Sequence, residues 1–259
     1  MTRPHHPYLD RPGAERPGPI AFAHRGGALD GLENTAAAFR RAAALGYRHF
    51  ETDVHATKDG RLVAFHDSTL DRVTDARGRI GDLPWAEVRR AEVAGREPLP
   101  LFEELLEEFP EARWNVDIKA APALVPLVEL IRRTNSWDRV CAGSFSEARV
   151  ARAARLAGPR LATSYGVRGV LGLRLRSYGI PAPVRAGAVC AQVPEAWSGI
   201  PVVDERFVRT AHARGLKVHV WTVNEANRME ALLDLGVDGI MTDQLETLRT
   251  VLTARGAWH

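Results

Sequence analysis

Two carboxylates stand two residues apart at Glu51 and Asp53, and a third acid, Asp117, is followed two positions later by Lys119. In a β-strand alternate side chains share a face, so spacing of two marks residues that point the same way. Phe50, Thr52 and Val54 then fall on one face and His49, Glu51, Asp53 and His55 on the other. The segment around Asp117 repeats the pattern, with Trp114, Val116 and Ile118 opposed to Asn115, Asp117 and Lys119. A third segment sets Leu216, Val218 and Val220 against Lys217, His219 and Trp221. If the polar faces converge, unpaired charges would cost several kcal/mol each, so the groups must be paired, hydrated or ligating. An internal salt-bridge network is the plain alternative, but three acids face one lysine. Closely spaced hard oxygen donors suit Mg²⁺ or Ca²⁺ and not zinc, so Glu51, Asp53 and Asp117 are read as metal ligands.

Two of the nine histidines can be placed beside those acids. His24 ends a short apolar run and is followed by Arg25 and the pair Gly26-Gly27, which would let the backbone approach a ligand closely. A two-residue turn at Asp59-Gly60 would pair Lys58 with Arg61, and that register sets His66 opposite Asp53. Either imidazole alone reads as a hydrogen-bonded structural residue; two at one place read as an acid/base pair. In Glu33-Asn34-Thr35, the latter two suit helix capping, while Glu33 could hold Arg25. Trp221 faces inward near a strand end and is a candidate wall for the carbon skeleton of a ligand. Cys141 and Cys190 lack the paired spacing of a zinc site and read as buried, reduced core thiols.

Something must hold these groups together. From Ile20 onward β-like runs alternate with helical periodicity. Strands are expected at 20–24, 47–55, 113–119, 139–144, 160–164, 187–192, 216–222 and 238–242, with helices at 34–45, 101–109, 123–133, 147–156, 167–177, 205–214, 225–235 and 245–254. Eight βα units in one chain of this length predict a TIM (β/α)8 barrel, whereas a doubly wound sheet would stop at five or six strands. Residues 68–98 break the rhythm after the second strand and are expected as an insertion over the barrel mouth, acting as a lid or substrate wall. Residues 1–19 hold five prolines and no apolar export segment, so a flexible tail and a cytoplasmic setting are expected. A net charge of only +3 without a basic stripe argues against a nucleic-acid partner, and no apolar run is long enough to anchor the chain in a membrane.

The order His24-Arg25-Gly26-Gly27, Glu33-Asn34-Thr35, Glu51-Thr52-Asp53-Val54-His55, Lys58-Asp59-Gly60, His66-Asp67 and Leu70-Asp71-Arg72 resembles the glycerophosphodiester phosphodiesterase family. The likeness continues through Asn115 to Lys119, Val220 to Asn224 and Gly236 to Asp243. It implies a barrel with a divalent metal that hydrolyses a small glycerophosphodiester to glycerol 3-phosphate and an alcohol. By the same resemblance His24 and His66 are the acid/base pair, Glu51, Asp53 and Asp117 the metal ligands, and Arg25 and Lys119 the phosphate contacts. The third ligand is usually glutamate in this family; Asp117 is shorter by one methylene and resembles the arrangement in spider-venom phospholipase D barrels. Two other readings stay open. A phospholipase D-like enzyme acting on lysophospholipid or sphingolipid head groups would need an apolar groove, and a non-catalytic phosphodiester-binding barrel would lack one of the two histidines.

Overall fold

A computed structural model of the chain describes residues 5–11, 18–28 and 31–258. Eight parallel strands form its centre: β1 (Ile20–His24), β2 (His49–Ala56), β3 (Arg113–Ile118), β4 (Val140–Gly143), β5 (Ala162–Thr163), β6 (Cys190–Pro194), β7 (Lys217–Trp221) and β8 (Gly239–Thr242). Their hydrogen-bonded order is β5-β4-β3-β2-β1-β8-β7-β6, and a parallel bridge from Ser164 to Cys190 joins the two ends of that row. The expected TIM (β/α)8 barrel is the observed fold. Its outer helices are α1 (Ala36–Ala44), α2 (Phe102–Glu108), α3 (Leu124–Arg133), α4 (Glu147–Ala157), α5 (Val167–Ser177), α6 (Glu205–His212), α7 (Ala226–Asp234) and α8 (Leu245–Ala254). The fifth and sixth strands depart most from expectation. β5 shrinks to two residues, and β6 starts only at Cys190 because Gly187, at φ 92°, still belongs to the preceding turn.

The alternation of strand faces does what the pattern demanded. Phe50 and Trp114 point outward and meet Phe39 of α1 and Phe102 of α2, with ring centroids from Trp114 to the other three of 4.9 to 5.5 Å. Each such fully buried aromatic removes a large apolar surface from water, worth roughly 1.5–3 kcal/mol. In α3, Leu124, Leu127, Val128 and Ile131 recur at helical spacing and are all buried. Gly26 and Gly27 sit at φ 81° and 84°, and a Cβ on either would strike Ala38 or Leu245 at 2.8 Å. The close approach they allow is therefore to α1 and α8, not to a ligand.

Residues 5–11 are not the free tail expected of positions 1–19. Tyr8 is fully buried beneath the barrel with Phe22, Cys141, Cys190 and Met241. Around it, Arg113 donates to the Pro7 carbonyl at 3.0 Å, His49 donates to the Tyr8 carbonyl at 3.1 Å and Arg11 donates to the Ala257 carbonyl at 2.6 Å. A buried tyrosine with these backbone contacts is a plug. Positions 1–4 and 12–17 lie outside the described residues.

After β2 the chain returns as a short strand, Leu62–Ala64, antiparallel to β2, and the insertion at 68–98 packs Leu70, Ile80 and Val88 with the flanking Phe65 and Leu99 in a small core. The register differs from the expected one by one residue. Thr57, not Lys58, pairs with Arg61, leaving a three-residue loop whose Gly60 lies at φ 81°. Such a loop forms when a turn is followed by a left-handed glycine, and Thr57 stabilises it by donating to Asp59 at 2.6 Å. Phe65 consequently stands beside Asp53, and His66 follows the strand's end.

Candidate active site

A cavity of about 210 Å³ opens at the C-terminal ends of the barrel strands. His24, Arg25, Glu51, Asp53, Asp117 and Lys119 all line it, as do His66 and Trp221. The candidate acid/base, metal, phosphate and wall residues thus reach one place, whereas Glu33, Asn34 and the two cysteines do not line it. The inserted segment 68–98 contributes none of the lining; the wall expected of it is supplied instead by Phe145 and Trp197, from the segments after β4 and β6, and by Val167 and Val170 in the first turn of α5. Phe145 packs edge-on against Trp221 at 5.6 Å. The cavity is therefore charged on the side of β1 to β3 and apolar on the side of β4 to β7.

Backbone register explains the charged side. β1 and β2 pair His24 with Glu51, and β2 and β3 pair Asp53 with Asp117, so four inward side chains stand at neighbouring levels. Arg149 of α4 donates to the carbonyls of Ile118 and Lys119, fixing the end of β3. Lys119 lies between two acids, 2.8 Å from Asp53 and 2.9 Å from Asp117. Burial alone would discharge this ammonium, but the two carboxylates outweigh it and raise its pKa. For Asp53, burial is likewise overcome by Lys119 and Arg25, and its pKa is lowered. Glu51 behaves differently. Burial first, and then the neighbouring Asp53 charge, push it up to about 7.

Each histidine has its own carboxylate. His24 Nδ1 lies 2.7 Å from Asp243 Oδ1, and His66 Nδ1 lies 2.6 Å from Asp67 Oδ1. A carboxylate on Nδ1 fixes that nitrogen as the donor and leaves Nε2 for exchange with a ligand. For His24, burial favours the neutral ring, yet Glu51 and Asp243 prevail and its pKa is raised. Asp67 is held down to about 2, chiefly by its hydrogen bonds from Arg72.

Asn34 is not a helix cap. Thr35 caps α1 by accepting from Ala38, while Asn34 turns inward at φ 60°, donates to Asp53 at 3.0 Å and accepts from Thr52 at 2.7 Å. Glu33 does hold Arg25, at 3.1 Å. Sequence reasoning missed Asp67, Asp243 and Asn224, which positions Asp243 by donating to it at 3.2 Å and accepting from its backbone at 2.9 Å. The available signal was an acid directly after a strand end or directly after a candidate histidine.

Among the described residues, no group of three His, Cys, Asp or Glu side chains is gathered as a ready cation cage. Lys119 and Arg25 neutralise the acids that would form one. The donor chemistry still fits a hard divalent ion: Asp117 Oδ1 is buried without a hydrogen-bond partner, and Glu51 is crowded by Asp53.

A model of the glycerophosphoryl diester phosphodiesterase family matches residues 24–247. A probable glycerophosphodiester phosphodiesterase 2 from Mycobacterium tuberculosis is 44% identical over 246 residues, covering 93% of each chain. The chain belongs to the glycerophosphoryl diester phosphodiesterase family. It is an enzyme, a phosphoric diester hydrolase. A glycerophosphodiester phosphodiesterase from Caldanaerobacter subterraneus is 32% identical, over 92% of this chain and 99% of that one. The same fold is seen in the crystal structure of a protein from Silicibacter pomeroyi, which superposes with a TM-score of 0.81 at 23% identity, covering 98% of this chain and 100% of that one. The family match begins at His24 and extends past Asp243, so it includes both histidines and both of their aspartates.

Proposed function

We propose that the protein hydrolyses glycerophosphodiesters to glycerol 3-phosphate and an alcohol, with His24 and His66 exchanging protons with the substrate. The observation that carries this reading is the pairing of two imidazoles, each tied at Nδ1 to its own aspartate, on one cavity with Arg25 and Lys119. Arg25 and Lys119 offer donors to the phosphoryl oxygens, and the guanidinium can engage two at once. One histidine takes the proton of a glycerol hydroxyl as its oxygen bonds to phosphorus; the other gives a proton to the departing alkoxide as the second P–O bond breaks. A cyclic phosphate results, and water reopens it with the histidine roles exchanged. Glu51, Asp53 and Asp117 would hold Mg²⁺ or Ca²⁺, which when bound supplies charge neutralisation and a lower pKa for the attacking hydroxyl. Trp221 would face the carbon skeleton.

Turnover of glycerophosphocholine and related diesters, with release of glycerol 3-phosphate, tests the reading directly. Chelation should abolish turnover and added Mg²⁺ or Ca²⁺ restore it; full activity in metal-free protein would remove the metal from the proposal. No helix among the described residues is long and apolar enough to cross a membrane. The cytoplasmic setting remains part of the proposal, in keeping with Cys141 and Cys190, which are buried and not joined in a disulfide.

The apolar side favours one second reading, a single-chain lipid substrate of the lysophospholipid or sphingolipid class. Phe145 and Trp197 are each 50% exposed at the cavity rim, where an acyl chain would cover them. Comparing turnover of lysophosphatidylcholine with that of glycerophosphocholine separates the two.

A further inference from the structure

Arg72 lies in the inserted segment, lines no part of the cavity and has no role in the chemistry above. It nevertheless makes four side-chain hydrogen bonds. Nε and Nη2 donate to the two oxygens of Asp67 at 2.5 and 3.2 Å, and Nη1 and Nη2 donate to the two oxygens of Glu33 at 3.2 and 2.7 Å. Both acids have a second partner in the site. Asp67 holds His66 Nδ1, and Glu33 holds Arg25, whose Nε lies 3.1 Å from Asp53. One planar cation thus stands behind a proton-transfer group and a phosphate-binding group at once.

We propose that Arg72 is a positioning residue that couples His66 to Arg25, so that the insertion sets the geometry of half the active site without touching the substrate. This rests on the roles of His66 and Arg25 given above. The restraint lies in the guanidinium fork. A guanidinium presents its N–H groups in one rigid plane, and bidentate pairing to each carboxylate restrains orientation as well as distance. An isolated exposed ion pair would restrain little, but Glu33 is only 9% exposed and each acid has a further partner. The insertion also has the means to aim the fork. Leu70, two residues earlier, is buried in the insertion's own core, its N–H donates to the Gly78 carbonyl, and Thr69 bridges to Arg79. The other histidine is braced from within the barrel: Asp243 holds His24, and Asn224, in the loop after β7, holds Asp243. The two imidazoles therefore rest on separate supports.

The test is steady-state kinetics on glycerophosphocholine with Arg72→Gln, Arg72→Lys and double variants. Arg72→Gln should lower kcat about tenfold and raise KM severalfold, with the thermal midpoint little changed because the side chain is half exposed. Arg72→Lys should recover kcat or KM but not both, since an ammonium cannot grip two carboxylates bidentately. Asp67→Asn should cost little more in the Arg72→Gln background than Arg72→Gln alone, whereas Asn224→Ala, on the other support, should multiply in full. Wild-type kcat and KM in Arg72→Gln would overturn the proposal, as would full multiplication of its effect by Asp67→Asn. An inactive wild-type protein would instead refute the proposed function on which this rests.

Discussion

At the upper end of the barrel His24 and His66 sit among carboxylates, and at the lower end His49 sits among aromatic rings and a backbone carbonyl. His24 meets Asp243 at Nδ1 and has Glu51 3.8 Å from Nε2. His49 stacks edge-on with Phe22 and Tyr8 and donates to the Tyr8 carbonyl. Both come from strands that alternate in the same way, and both point into the barrel. Their protonation runs in opposite directions: the acids raise His24, whereas burial takes His49 down to about 3. The side-chain type is the same; the partners decide in which direction its proton affinity moves. The plug at residues 5–11 seals the lower end, while the upper end opens to a cavity.

The comparison can be broken in stages. Tyr8→Ala should cost about 3–5 kcal/mol of stability, as for other large-to-small aromatic changes in a core, and leave turnover of the folded protein unchanged. Urea unfolding alongside an activity assay reads both, and a parallel fall in kcat would mean that the two ends are not independent. His24→Ala or His66→Ala should lower turnover by roughly 10²-fold or more while the fold survives. Near-normal kcat in either variant would remove that ring from proton transfer. Asp243→Asn and Asp67→Asn should each cost about tenfold, since they misorient a ring without deleting it; equal losses from aspartate and histidine variants would instead give the acids a direct role.

The smallest effect is the most diagnostic. A folded pKa raised above the unfolded value of about 6.5 gives stability that is present at low pH and lost as pH rises through the folded pKa, which is the case for His24. A depressed pKa does the reverse: between about 6.5 and 3 the unfolded chain binds a proton at His49 that the folded one refuses, so acid destabilises. In chelator-treated protein, His24→Asn should therefore lose most stability near pH 5, and His49→Asn should lose least there. Melting curves at pH 5 and 8 decide it, and slopes of the same sign for both variants would erase the distinction between the ends.

The charged half of the site was legible in the chain because a strand's period of two is local: Glu51, Asp53, Asp117 and Lys119 declare a shared face before any fold is known. A two-residue turn brings His66 to the same mouth as the structure does, with a register off by one. The loop took three residues instead of two, and only the hydrogen bonds of Thr57 and Gly60 reveal it. Asn34 looks like a cap because Asn and Thr are both good caps; which of them turns inward depends on the acid at Asp53 on the neighbouring strand β2.

The sequence by itself determined the barrel, the inward acids and the two histidines, since each follows from periodicity and from the cost of burying charge without a partner. Tertiary structure decided that Asp243 serves His24, that residues 5–11 close the floor, and that the insertion reaches Glu33 through Arg72 without lining the cavity. Those facts depend on side chains far apart in the chain, such as His24 and Asp243, meeting at hydrogen-bond distance. Strand closure fixes such contacts, and no local pattern encodes them.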